Sequence, residues 1–145
     1  MCLMLPSWGL AFYYETTKLT DFKAIGVLID DQATGGCWTN LREAKSYAED
    51  KLQIAGANVT KNFLGKRPTA DKGAAFIISV NAFRNNATCI GTVRIEISAA
   101  EFGELNPLAG VMVYAASSSV ANVPSNFNTH VLEMIRVAVE ELERK

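Results

Sequence analysis

One histidine, three cysteines, four prolines and near-equal charge of both signs mark what this 145-residue chain has little of. With His130 alone, no histidine-rich metal centre can be built. No glycine-rich phosphate loop and no dinucleotide fingerprint occurs. No segment reaches the ~18 apolar residues that a membrane span needs. Fourteen Lys and Arg against fifteen Asp and Glu leave a net charge of −1. A global basic field of the kind that attracts nucleic acid or an anionic membrane surface is therefore missing, and neither is expected as a partner. What remains is an ordinary globular composition, 49% hydrophobic and 20% charged. A chain of this length buries about 68–70% of its unfolded surface, so folding requires no metal, and no cofactor is expected. No catalytic constellation emerges.

The first eleven residues, Met1 to Ala11 (MCLMLPSWGLA), are apolar, carry Pro6, and end in Gly9-Leu10-Ala11, with small residues at the positions a signal peptidase reads. They read as a truncated signal-peptide remnant lacking a basic start, with residues 12–145 forming a single domain. The bland alternative is a first strand or an apolar segment packed on the body. Removal of Cys2 with the signal leaves an even pair, Cys37 and Cys89, the arithmetic of an oxidising compartment. A bridge between them would add about 4 kcal/mol in the chain-entropy account. The competing reading makes Cys37 a nucleophile at a helix amino terminus with His130 as its base.

Along the chain, Asp21 to Asp31 reads as a buried strand followed by the loop Gln32 to Gly36. Asn40, three residues before Glu43, is placed to cap a helix over Leu41–Ala55. The inward stripe of that helix is Leu41, Ala44, Ala48, Leu52 and Ala55, widened by Tyr47 and Ile54, and Gly56 stops it. Residues 57–60 are a candidate short strand. Ala74 to Phe83 and Thr88 to Ser98 form an antiparallel hairpin about Arg84 to Ala87. Cys89, Gly91, Val93, Ile95 and Ile97 share one face of the second strand, with Phe76, Ile78 and Val80 matching them from the first. Gly110 to Ala116 is a further strand, Ser117 to Ser125 a connection. Ser125 or Asn126 caps a last helix whose stripe is Phe127, Val131, Met134, Ile135, Ala138 and Leu142. This order predicts an α/β two-layer sandwich: a mixed sheet of four or five strands with two helices on one face.

Candidate binding residues fall in two places. Asp30 and Asp31 close the first strand, and Trp38 lies beside Cys37, so the loop over residues 30–38 is one. The segment Lys61 to Gly73 is the other. It holds four basic residues against one Asp, with Lys61, Lys66 and Arg67 set to meet an anionic partner and Phe63 as an apolar anchor. Plainer readings make the acids solvated, stack Trp38 over the bridge, and leave the basic segment as a solvated loop. Ser117 to Ser119 has no nucleophile-elbow context. Asn58-Val59-Thr60 and Asn86-Ala87-Thr88 fit the glycosylation sequon.

The Gly36 to Asn40 lead into the first helix, the Cys89-Ile90-Gly91 start of a middle strand and the Pro124 to Phe127 lead into a final amphipathic helix resemble small exported bacterial proteins of uncharacterised function. They are also similar to the amino-terminal domain of TolB, a periplasmic module that contacts partner proteins. The resemblance implies a non-enzymatic periplasmic or secreted module that binds an envelope protein through an exposed sheet face or edge. A small-ligand binder or small enzyme with its site near residues 30–38 is the alternative. A homodimer through an uncovered sheet edge is the third reading.

Overall fold

A computed structural model describes residues 18–61, 73–100 and 111–144. The signal-like residues 1–11 and the candidates Phe63, Lys66 and Arg67 lie outside the described residues. A 3₁₀ turn (Leu19–Asp21) leads into β1 (Ala24–Ala33), then α1 (Leu41–Ile54), β2 (Gly73–Asn85), β3 (Thr88–Ala100), β4 (Val111–Pro124) and α2 (Asn128–Glu143). The four strands form one mixed sheet in the order β1-β2-β3-β4. β1 and β2 run parallel across the α1 crossover, and the other two pairings are antiparallel. The expected α/β fold, with four strands and two helices, is what forms.

Alternation sets the core. Ile25 and Val27 of β1, Phe76, Ile78 and Val80 of β2, and Cys89, Val93, Ile95 and Ile97 of β3 are all buried. The register places Val27 beside Phe76 and Phe76 beside Ile97, so these side chains share one face of the sheet. Both helices close over them: α1 packs on β1, α2 on β3, and the helices meet each other. α1 contributes Ala44, Ala48 and Leu52, and α2 contributes Val131, Ile135, Ala138 and Val139.

Several local expectations need correction. Ile54 does not widen the α1 stripe; it is 79% exposed. At about 100° per residue it lies roughly a third of a turn from the Ala44–Leu52 arc, out of the sheet's reach. Asn40 makes no side-chain cap. Its Oδ1 accepts from the Trp38 indole N–H at 3.0 Å and its Nδ2 donates to Glu43 at 2.9 Å, so the group that would cap is already engaged. Neither Ser125 nor Asn126 is the N-cap of α2: that position is Phe127, with no side-chain cap, and Asn126 Oδ1 accepts from the Asn128 amide at 3.1 Å just ahead of the helix. Gly56 stops α1 as expected: at φ 91° it permits Ala57 N to reach Leu52 O and its own amide to reach Gln53 O. Val59 of the candidate short strand makes a single parallel bridge to Ile25.

The largest difference lies in β4. Ser117 to Pro124 is not a connection but the second half of the strand, paired from Ser117↔Ile95 to Pro124↔Thr88. A serine run has little strand propensity of its own; the ladder offered by β3 overrides it. β1 likewise continues through Asp30, Asp31 and Gln32 to Ala33 because β2 runs alongside to Ala82.

Candidate functional site

Three connections meet at one end of the sheet: the β1–α1 loop, the β2–β3 hairpin tip and the β4–α2 loop. The Cys37–Cys89 disulfide joins the first two, with a Cα–Cα distance of 5.6 Å, and both residues are fully buried. The Phe127 amide donates to the Cys37 carbonyl at 2.7 Å, which draws in the third. Asn128 then grips Thr39 twice, accepting from its amide at 3.0 Å and donating to its hydroxyl at 2.9 Å. The bridge leaves Cys37 no free thiol, and the thiol-nucleophile reading of Cys37 with His130 is overturned. The His130 ring instead places Nε2 at 2.8 Å from Ser119 Oγ and tilts against Phe127 with ring centroids 5.9 Å apart. It ties α2 to β4.

Arg84 was missed in the sequence, where it reads as part of a polar turn. The turn proper is only Asn86-Ala87, with Asn86 at φ 54°, a conformation asparagine tolerates. Arg84 belongs to β2, opposite Cys89. Its Nε donates to Gly35 O at 2.6 Å and its Nη2 to Ser125 O at 2.6 Å, so one guanidinium spans two loops. Gly35 must be glycine for this approach, because a Cβ there would stand 2.7 Å from Arg84 Cβ and φ is +64°. Replacing Arg84 with Ala is expected to cost about 1–2 kcal/mol, the range for charge-assisted bonds discounted for exposure. Lysine would recover little, since it lacks the planar fork. Urea unfolding of R84A and R84K checks both, and wild-type stability in R84K would refute the fork.

The named site residues do not converge. Trp38 is 4% exposed, part of the core rather than a surface for a partner. Asp30 and Asp31 are exposed inside β1, not in a loop. Gln32 Nε2 reaches the Asp30 carboxylate at 3.2 Å, and Asp31 Oδ1 accepts from the Ala33 amide at 3.0 Å. By alternation they point to opposite sides of the sheet. Lys61 is exposed, and Val59, two residues before it, bridges the start of β1 at Ile25, whereas the acids occupy its second half. Among the described residues no group of three or more His, Cys, Asp or Glu side chains could hold a metal ion, and no helix is long and apolar enough to cross a membrane.

Among the described residues the helices cover one face of the sheet, and no element covers the opposite face. Register and alternation place Leu28, Asp30 and Gln32 on it from β1, Ile77, Asn81 and Phe83 from β2, Ile90, Thr92, Arg94 and Glu96 from β3, and Val120 and Asn122 from β4. Phe83 is 54% and Val120 82% exposed. Leu28, Ile77 and Ile90 are half-buried between polar neighbours, and Arg94 pairs with Glu96 at 2.6 Å. No protein-family model and no curated protein matches the chain. The fold resembles that of PelC. A dodecamer of a PelC point variant from Paraburkholderia phytofirmans matches with a TM-score of 0.56 at 12% identity, covering 93% of this chain and 98% of that one. A second PelC dodecamer from the same organism matches with a TM-score of 0.55 at 13% identity, over 92% and 95% of the two chains. At such identity PelC informs the architecture and no individual residue.

Proposed function

We propose that this protein is a non-enzymatic binding module, exported to the periplasm or secreted, that contacts an envelope protein through its open sheet face. The observation that carries the reading is the one-sided helix layer, which leaves Leu28, Ile77, Phe83, Ile90 and Val120 in a setting of Asp30, Gln32, Arg94 and Glu96. Interleaved apolar and hydrogen-bonding side chains on a rigid sheet suit protein recognition better than enclosure of a small molecule. A buried disulfide fits an oxidising compartment. The resemblance to exported bacterial proteins and to the TolB amino-terminal domain points the same way. The dodecameric state of both PelC neighbours lends weight to self-association as part of that role.

The test is site-specific photocrosslinking in cells, with the probe at Ile77 on the open face or at Glu49 on α1. Ile77 should yield an adduct with an envelope protein and Glu49 none. The double variant I77D with F83D should reduce that adduct by about tenfold or more while the fold persists. Adducts from Glu49 alone, or indifference to the double variant, would sink the reading.

A further inference from the structure

The two outer edges of the sheet are unlike. On β1 the Ile25 amide donates to Asn58 O at 2.8 Å and the Ile25 carbonyl accepts from Thr60 N at 2.9 Å. The odd-numbered residues of β1 therefore present their backbone groups outward, and the first of these is already engaged. At the other end the outward amide of Ala33 is taken by the Asp31 carboxylate at 3.0 Å, and Asp30 and Asp31 bring two acids. Such an edge is blunted against strand addition.

β4 has none of these protections along its second half. From Val111 to Pro124 it carries no charged residue. The Ser125 amide donates to Ala87 O at 3.3 Å, which makes Thr88↔Pro124 a pair without mutual hydrogen bonds. Counting back along the ladder, Ser118, Val120 and Asn122 also occupy such positions and turn their amides and carbonyls away from β3. Among the described residues no strand takes them up. Pro124, with no amide to offer, sits at the same kind of outward position and ends the run. The edge is flanked by apolar groups on both sides of the sheet. Val120 lies on the open face at 82% exposure, and Val137, at 37%, lies on α2 in the arc that includes His130, the residue that reaches Ser119.

We propose that β4 is a homotypic pairing edge: two copies of this chain join antiparallel through Ser118, Val120 and Asn122, giving a closed dimer with one continuous eight-stranded sheet. β4 of the second copy is the occupant because β1, the only other outer strand among those described, is blocked at both ends and acidic. An uncharged strand can face itself without repulsion. With Val120 meeting its symmetry mate, Ser118 of one copy falls opposite Asn122 of the other, and each copy supplies the same patch, as a two-fold interface requires. The inference rests on the self-association part of the function proposed above, and a monomer would leave open-face recognition untouched.

Sedimentation equilibrium over a dilution series, with amide hydrogen exchange on the same samples, tests it. The wild type should weigh twice 15.8 kDa at high concentration and show protected amides at residues 118, 120 and 122 that lose protection on dilution. V120K sets two like charges face to face, and V120P deletes an outward amide that the internal ladder does not use. Each should weaken dimerisation by about tenfold or more with thermal unfolding of the monomer unchanged. A wild type that stays monomeric, an assembly larger than two, or a dimer indifferent to V120K overturns the proposal.

Discussion

Replacing both half-cystines, as C37S with C89S, is expected to lower the unfolding free energy by about 4 kcal/mol. The two residues are 52 apart in the chain, so the bridge withholds a long loop's worth of conformations from the unfolded chain, and that restriction disappears with it. The native state should change little, because Phe127 N, Arg84 and Asn128 hold the same three connections by hydrogen bonds. Urea unfolding of the double variant should show an earlier midpoint together with a steeper dependence on denaturant, since an uncrosslinked unfolded chain exposes more surface. An unchanged midpoint would mean that the loop contacts alone carry this end of the molecule. Each single variant should lose a similar amount, since either substitution alone breaks the same bridge.

Phe127→Ala should cost about 3–5 kcal/mol. The ring is fully buried, among the largest side chains in the core, and packs against His130. Its backbone starts α2: the amide holds Cys37 O and the carbonyl accepts from Val131 N at 2.9 Å. A cavity there would sit under the three joined connections at the mouth of the helix layer, where the disulfide limits collapse. Phe127→Leu keeps much of the volume and should cost about half as much or less. Urea denaturation of the two variants separates burial from backbone effects, since both retain the amide. Equal losses in the two would show that ring shape, rather than the cavity, decides stability.

The elements that sequence reading places well are those governed by local periodicity. Ala44, Ala48 and Leu52 on α1, and Val131, Ile135 and Ala138 on α2, repeat at helical spacing and are all buried. Val93, Ile95 and Ile97 alternate and are buried as well. The α/β class and the Gly56 stop follow from the same kind of signal. The failures are equally specific. Ser117 to Val123 forms strand because a partner is present, not because serine favours it. Arg84 looks like turn filler until two loops from distant parts of the chain are brought to its guanidinium.

The candidate site was legible only in part. Asp30, Asp31 and Trp38 are close in sequence, but strand alternation separates the acids and burial removes the indole. Among the described residues the open face is a property of layers: both helices pack on the same side, and no window of sequence reports that choice. By itself the sequence determined the periods and the stops, since each depends on a few neighbouring residues. Only the tertiary structure decided which strand edge is blunted, which face is uncovered and which cysteine lies against which loop, because those are pairings between residues far apart in the chain.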